Sequence, residues 1–350
     1  MKAILISDLP TLRAYSNATL AALRDEAGLE CNAQCIMHNA QCGERDAQCR
    51  PFTREDVLAG AAADADVIFS SWGMPAFTSD EIAAHLPRVR ALFYAAGSVQ
   101  GFARPFLERG VRVYSAWREN AVPVSEVAVS QILLANKGFF QACRRNRSKD
   151  AHRLCHGYFS TFPGNFDCRV GLLGCGGIGR LVAEALRAHR VEVIVFDPFL
   201  PDDAAAALGV RKASLDEIFS TCQTISNHLA NNARTQGMLG YALFSQMLPN
   251  ATFLNTGRGA QVVEADLVRS LEEAPDRTAV LDVTWPEPPE NGSPLYSLPN
   301  VFLTPHLAGS SGNEVRRMGE AMLEEFRGWV KNPAAPSCRE VKPEMLETMA

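Results

Sequence analysis

The sequence lacks the features that mark membrane, secreted and nucleic-acid-binding proteins. None of its apolar runs approaches the roughly 20 residues that a membrane-spanning helix requires. The apolar run at the N-terminus reaches Asp8 too soon for a signal peptide. Lys and Arg number 34, Asp and Glu 39, which gives a formal net charge of −5, and no block of basic residues stands out. These absences predict a cytoplasmic protein that acts on small molecules, with neither a membrane nor a nucleic-acid partner.

Paired Cys-x-x-Cys motifs of the zinc-binding type are also absent. Most of the ten cysteines are scattered, and a chain of this length needs no disulfides to stabilise its core, so we expect free thiols. The exception is a local cluster in which Ala-Gln-Cys recurs every seven residues, at Cys35, Cys42 and Cys49, after Cys31. We interpret it as a surface element and predict no metal site; zinc bound by these thiols with His38 is the alternative.

What the sequence does contain is a glycine-rich turn at residues 174–179, Gly-Cys-Gly-Gly-Ile-Gly, between an apolar run and an amphipathic stretch. Gly174 permits a tight turn, Gly176 lets the backbone approach a pyrophosphate, and Gly179 lets a helix pack on the strand. The N-terminal amides of that helix would face phosphate. The turn therefore predicts a dinucleotide site, with Gly177 and Ile178 among its residues.

The next apolar run, residues 191–196, ends at Asp197. A carboxylate in this place can accept hydrogen bonds from both ribose hydroxyls and would repel a 2′-phosphate. This favours NAD over NADP. The alternative is a plain glycine turn followed by an ordinary Asp-Pro turn.

Short β-branched runs alternate with segments long enough for a helix, a pattern typical of α/β proteins with a parallel, doubly wound sheet. The predicted strands are residues 3–7, 67–70, 91–94, 111–114, 169–173, 192–196, 224–227, 252–255, 279–282 and 301–304.

The length of 350 residues exceeds one typical core, so two domains are expected. Long helices predicted at 123–145 and 312–330 would connect them. We predict a discontinuous substrate domain, 1–120 with 308–350, into which a nucleotide-binding domain, 121–307, is inserted.

Ligands of open parallel sheets bind outside the carboxyl ends of the strands, so polar residues that follow apolar runs are candidates. Three motifs satisfy this rule: Asn-Thr-Gly-Arg-Gly with Arg258, Asp-Val-Thr-Trp-Pro-Glu-Pro with Glu287, and Thr-Pro-His with His306. Taken singly, these residues could be a cation that flanks a helix, a solvated carboxylate and a strand-end histidine. Their joint occurrence at strand ends favours a site.

In this order, the glycine turn and the three motifs resemble the D-isomer-specific 2-hydroxyacid dehydrogenase family over nearly the whole chain. The resemblance implies two Rossmann-like domains, NAD as cofactor, a homodimer formed through the nucleotide domain, and Arg258, Glu287 and His306 as the catalytic set. It also implies that Asp282 lies near the nicotinamide, that the backbone of Thr256 contacts the cofactor, and that the loop Ala96-Gly97-Ser98-Val99 binds the substrate. His228, at another predicted strand end, is interpreted as cofactor-side or structural.

The chemistry of these residue types agrees with those roles. Reduction of a 2-oxo acid places negative charge on the carbonyl oxygen, so the site needs a proton donor, which His306 can be. A neighbouring carboxylate, Glu287, would stabilise the charged imidazole and fix which nitrogen holds the proton. Arg258 offers a planar fork to a carboxylate.

We predict an NAD-dependent 2-oxo acid reductase, of the glyoxylate or hydroxypyruvate type or for a bulkier 2-oxo acid. The aromatic residues Trp72, Trp117, Trp285 and Tyr296 favour the bulkier substrate, although large rings are also common in cores. The alternatives are a formate or phosphite dehydrogenase-like enzyme and an NAD-sensing, corepressor-like binding protein.

Overall fold

The computed structural model describes residues 1–9, 13–32 and 50–347. They divide into two compact units: the first takes in Met1–Asn120 and the segment that begins at Ser310, and the second is Ala121–Gly309. Each unit is built on its own largely parallel sheet with helices, so the predicted α/β fold class is confirmed.

The first unit begins with alternating strands and helices, because short apolar runs are separated by polar, capped segments. Its N-terminal elements are β1 (Ala3–Ile6), α1 (Asn17–Ala27), β2 (Leu29–Glu30), α2 (Arg54–Leu58), β3 (Val67–Ser70), α3 (Ser79–His85), β4 (Ala91–Tyr94), α4 (Ala103–Glu108) and β5 (Arg112–Ser115). Thr53 and Thr78 form capping boxes that begin α2 and α3. β1, β3 and β4 are buried along their whole length, as parallel strands covered on both faces must be.

The second unit contains a sheet of seven parallel strands in the order β12-β11-β10-β9-β6-β7-β8. Its elements, with the helix that leads into it, are α5 (Trp117–Asn136), α6 (Phe139–Arg145), α7 (Lys149–Phe159), β6 (Phe166–Leu173), α8 (Gly177–Leu186), β7 (Arg190–Phe196), α9 (Asp202–Leu208), β8 (Arg211–Lys212), α10 (Leu215–Thr221), β9 (Thr224–Asn227), α11 (Tyr241–Phe244), β10 (Thr252–Asn255), α12 (Glu264–Glu273), β11 (Thr278–Leu281) and β12 (Val301–Leu303). The strand order reverses between β6 and β9, which is where such sheets open a ligand crevice.

The chain then returns to the first unit as α13 (Val315–Lys331) and β13 (Glu340–Val341). β13 pairs antiparallel with β5, so the first sheet has the order β13-β5-β4-β3-β1-β2. α13 packs on this sheet, where the Phe326 ring meets those of Phe69 and Phe93 at centroid distances of 5.5 and 5.7 Å.

The helix predicted at 123–145 is wrong in two respects. It begins earlier, at Trp117, with Pro123 inside it, and it is broken between α5 and α6. Gly138 causes the break, because it adopts a left-handed φ of 68° and a Cβ there would lie 2.5 Å from the Phe162 ring.

Candidate active site

The glycine turn joins β6 to α8 in the second unit. Gly174 has a φ of 89°, and a Cβ on it would lie 2.7 Å from the carbonyl oxygen of His228. A Cβ on Gly179 would clash with the carbonyl oxygen of Gly174. A Cβ on Gly176, by contrast, would meet no atom within 4 Å. The backbone at the N-terminus of α8 is therefore open to a ligand, and a dinucleotide pyrophosphate suits it.

Asp197, which follows β7, is half-buried and binds this turn. One of its carboxylate oxygens accepts from the backbone N–H of Cys175 at 2.7 Å, and the other accepts from the N–H of Phe199 at 2.8 Å. Each oxygen keeps a lone pair for a further donor. The side chain thus holds the turn and leaves acceptors for a ligand.

His228 follows β9 and is buried. Its Nε2 lies 2.9 Å from the Ser226 hydroxyl and its Nδ1 lies 3.4 Å from the Thr256 hydroxyl. Burial lowers the pKa of His228 to about 4. The imidazole is therefore neutral near neutral pH and does not compete with His306 as a proton donor.

Arg258 lies in the loop after β10. Gly259 follows it and packs so closely on the next loop that a Cβ would clash with the backbone of Thr284. Arg258 Nη1 donates to the Gly257 carbonyl at 2.8 Å. Burial lowers the pKa of Arg258, an effect that the charge of Glu287 opposes, yet an arginine stays protonated.

No carboxylate in the described part of the chain forms an ion pair with Arg258, whereas the half-buried Arg112 and Arg339 each pair with a glutamate. Its guanidinium is thus a largely desolvated cation with no ion-pair partner among the described residues. Such a group is suited to bind an anionic ligand.

Asp282 comes directly after β11, is almost fully buried, and shapes the loop that follows β12. Its Oδ1 accepts from the Thr304 hydroxyl at 2.6 Å and from the Leu307 N–H at 2.8 Å, and its Oδ2 accepts from the Ala308 N–H at 2.9 Å. The Asp282 carbonyl accepts from the N–H of His306 at 3.0 Å. The family resemblance associates Asp282 with the cofactor; the structure adds that it holds the backbone of the His306 loop.

His306 has a φ of 54°, which is uncommon for a residue with a side chain and is held by the Asp282 contacts. Its Nδ1 lies 2.7 Å from Glu287 Oε1, and both side chains are partly exposed. With Nδ1–H donated to the carboxylate, Nε2 is left to exchange a proton with a ligand.

A groove of about 440 Å³ opens beside this pair within the second unit. Besides the pair itself and Asp282, its lining residues are Thr284, Pro288, Pro289, Tyr296, Leu303, Thr304 and Pro305. Tyr296 and nearby Trp285 are 57% and 64% exposed. The walls of the groove away from the pair are largely apolar.

The loop predicted to bind substrate follows β4 in the first unit. The Ser115 hydroxyl contacts the carbonyl oxygens of Ala96 at 2.9 Å and Gly97 at 2.7 Å, which turns these carbonyls inward. Within the described residues, the backbone N–H groups of Ala96, Gly97, Ser98 and Val99 have no acceptor. Trp72, which follows β3 in the same unit, is 38% exposed.

The structure thus brings together Arg258, Glu287 and His306 at the carboxyl ends of the adjacent strands β10, β11 and β12. The sequence interpretation missed two buried amides beside them, Asn227 and Gln261. Asn227 ends a strand at the same edge of the sheet, so the rule that found the other residues could have found it.

Most cysteines that the structure describes have a free thiol. Six are free, as expected, whereas Cys31 is disulfide-bonded. The other cysteines of the repeat, with His38, lie outside the described residues. Burial raises the pKa of the Cys175 thiol in the glycine turn to about 11, so it stays protonated. Within 1–9, 13–32 and 50–347, no group of three His, Cys, Asp or Glu side chains could hold a metal ion, and no helix is long and apolar enough to cross a membrane.

Comparison with known proteins shows that residues 129–308 match the family described as D-isomer specific 2-hydroxyacid dehydrogenase, NAD binding domain. This confirms the family resemblance and NAD as the cofactor. A D-3-phosphoglycerate dehydrogenase of Mycobacterium tuberculosis is 33% identical over 221 residues, which cover 63% of this chain and 40% of that protein. The putative 2-hydroxyacid dehydrogenase YoaD of Bacillus subtilis is 32% identical over 209 residues, 58% of this chain and 59% of that protein. The chain spans about two fifths of the length of the phosphoglycerate dehydrogenases it matches.

Solved structures share the fold at lower identity. The D-mandelate dehydrogenase of Rhodotorula graminis superimposes with a TM-score of 0.77 at 17% identity and covers 97% of both chains. A glyoxylate reductase from Paecilomyes thermophila gives a TM-score of 0.71 at 23% identity and covers 99% of both chains.

Proposed function

This chain belongs to the D-isomer specific 2-hydroxyacid dehydrogenase family, and we propose that it is an NAD-dependent 2-hydroxyacid dehydrogenase that works as a 2-oxo acid reductase. The observation that carries the proposal is the His306–Glu287 pair, 2.7 Å apart, next to an arginine that has no protein counter-ion among the described residues. A proton donor and a free cation are what the reduction of a 2-oxo acid requires of the protein.

NADH, when bound, supplies the hydride that reaches C2 of the substrate. Arg258 binds the substrate carboxylate through its planar fork and polarises the carbonyl. His306 delivers a proton from Nε2 to the carbonyl oxygen, and Glu287 keeps Nδ1 protonated and the ring oriented. In the reverse direction His306 Nε2 takes the hydroxyl proton.

We also propose that Ala96, Gly97, Ser98 and Val99 bind substrate, together with Trp72. The backbone amides of this loop, which no described acceptor pairs, support this, since four N–H groups in one loop suit a carboxylate. The proposal extends to the residues on the cofactor side, which are Gly174, Gly176, Gly177, Ile178, Gly179, Asp197, His228, Thr256 and Asp282.

For the substrate, the groove beside the His306–Glu287 pair supports a 2-oxo acid with a side chain larger than that of glyoxylate. Its apolar walls suit a carbon side chain, and its ten lining residues include no lysine or arginine that could neutralise a phosphate.

The test is a panel of 2-oxo acids assayed by NADH absorbance. We expect turnover with glyoxylate, hydroxypyruvate and phenylpyruvate, with the highest kcat/KM for phenylpyruvate, and little with 3-phosphohydroxypyruvate. A best kcat/KM for glyoxylate would contradict the substrate proposal alone. If the protein binds NADH tightly but no 2-oxo acid oxidises the NADH, the proposed activity is contradicted and a corepressor-like binding protein is supported. Oxidation of formate or phosphite with NAD would instead support a formate or phosphite dehydrogenase-like enzyme.

The nucleotide preference depends on Asp197. Asp197→Asn keeps an acceptor for the Cys175 N–H but removes the negative charge, so we expect the preference for NAD over NADP to narrow by roughly tenfold, which equals about 1.4 kcal/mol. Asp197→Ala should in addition weaken the binding of both NAD and NADP, because the N–H of Cys175 in the glycine turn loses its acceptor. The measurement is kcat/KM for each nucleotide, and an unchanged ratio in both variants would show that the carboxylate does not contact ribose.

We further propose a homodimer formed through the second unit. Large apolar side chains are exposed on α6, α7 and the start of β6, namely Phe139, Leu154, Phe159 and Phe166. Sedimentation equilibrium should give a dimer that Leu154→Glu weakens; a monomeric protein at micromolar concentration would refute the proposal.

A further inference from the structure

Three side-chain amides, Asn227, Asn255 and Gln261, form a fully buried network at the carboxyl ends of β9 and β10. Asn227 Nδ2 donates to Asn255 Oδ1 at 2.9 Å and to Gln261 Oε1 at 2.6 Å. Buried amides cost free energy unless every donor and acceptor is paired, so a fully buried network of three amides is expected to have a structural or functional role.

Gln261 uses its whole hydrogen-bonding capacity. Besides the bond from Asn227, its Oε1 accepts from the backbone N–H of Arg258 at 3.3 Å. Its Nε2 donates to the carbonyl oxygens of Leu229 at 2.7 Å and Ala230 at 3.0 Å. One side chain therefore joins the backbone of Arg258 to the segment that follows β9.

Asn255 also forms hydrogen bonds with the backbone of the Arg258 loop. Its Nδ2 donates to the Arg258 carbonyl at 3.2 Å, and its Oδ1 accepts from the Gly257 N–H at 3.1 Å. Both peptide groups of Arg258 are thus held by side-chain amides. The residue is extended, with φ of −140° and ψ of 143°, so small rotations of either peptide would swing the long guanidinium side chain.

The segment to which Gln261 donates, Leu229 and Ala230, is itself held in place by other contacts. Gly174 of the glycine turn packs against the His228 carbonyl just before this segment, and Asn227 Oδ1 accepts from the Leu229 N–H at 3.2 Å. Gln261 therefore anchors the Arg258 loop to backbone that packs on the nucleotide turn.

We propose that Gln261 is a positioning residue that holds Arg258 in the direction required to bind the substrate carboxylate. The inference rests on the proposed function, because it needs Arg258 as the group that binds substrate. A displacement of about 1 Å at such a group is enough to reduce the rate strongly.

The first test compares Gln261→Leu with Gln141→Leu. Gln141 is a matched control, since it is also fully buried in the second unit and donates to the Asn250 carbonyl and the Thr252 hydroxyl, with no bond to Arg258. With folding checked by circular dichroism, Gln261→Leu should lower kcat/KM for the 2-oxo acid by roughly tenfold to a hundredfold, with the Kd for NADH changed less than about threefold. Gln141→Leu should leave kcat/KM and the Kd for NADH within about threefold of the wild-type values.

The second test uses Gln261→Glu, which keeps the acceptor for Asn227 and Arg258 but cannot donate to Leu229 and Ala230 while it is ionised. Burial favours protonation of such a carboxyl, which then regains one donor. The ratio of kcat/KM between Gln261→Glu and the wild type should therefore rise as the pH falls from about 8 to about 6. If Gln261 had a purely structural role, the substitution would change the free energy of unfolding, and the ratio of kcat/KM would not depend on pH.

Wild-type kcat/KM in Gln261→Leu would overturn the inference, as would a loss of NADH affinity equal to the loss of kcat/KM. If the wild type turns over no 2-oxo acid, it is the proposed function that fails. If Gln261→Leu does not fold, the pH dependence of the Gln261→Glu ratio decides, and a flat ratio rejects the inference.

Discussion

His306→Ala is expected to lower kcat by roughly 10²- to 10⁴-fold, the range that general acid–base catalysis contributes. The variant leaves no imidazole to exchange a proton with the substrate, and Glu287 loses its partner at 2.7 Å. The cofactor turn in the same unit does not involve His306, so the Kd for NADH, measured by fluorescence, should stay within about threefold.

His156→Ala is the matched control, because His156 is an exposed histidine of the same unit on α7. It should leave kcat unchanged. If His306→Ala also loses NADH binding, the residue is structural; if it retains wild-type kcat, another group moves the proton.

Arg258→Lys is expected to lower kcat/KM for the 2-oxo acid by about a hundredfold, although the charge is kept. Hydrogen bonds to charged groups contribute about 1.5 to 3 kcal/mol each, and a lysine gives up the planar fork that binds a carboxylate at two points. Because no described carboxylate pairs with Arg258, the substitution breaks no ion pair there, so the melting temperature should change little.

Steady-state kinetics with the best acid of the panel and thermal unfolding provide the two readouts. Arg187→Lys, at an exposed residue after α8, is the control, and it should change neither kcat/KM nor the melting temperature. A variant as active as the wild type would mean that Arg258 does not bind the substrate.

Much of the fold follows from local patterns. The strands β3, β4, β9 and β10 have the bounds predicted from the sequence. β3 and β4 are short, mostly apolar runs, as buried parallel strands tend to be, whereas β9 and β10 begin with Thr and end with Asn. The prediction at 123–145 fails at Gly138. Helical periodicity continues through this residue, but its left-handed φ breaks the helix, and the Phe162 ring leaves no room there for a Cβ.

The candidate site shows the same division. The sequence predicts the glycine turn from its spacing, and it predicts Arg258, Glu287 and His306 from their places after apolar runs and from the family resemblance. The amide network of Gln261 could not be found from spacing, because it depends on the register of β9 against β10, which places Asn227 beside Asn255.

The sequence by itself determined which chemical groups stand at the strand ends and in what order, since a family motif is a local property of the chain. Only the tertiary structure decided how those groups are used. It places the Asp282 carboxylate on the backbone of the His306 loop, leaves Arg258 without a described counter-ion, and sets Gln261 between Arg258 and Leu229. The physical reason is that hydrogen bonds between strand ends join residues distant in sequence, and only the packing and register of the sheet bring such residues within about 3 Å of one another.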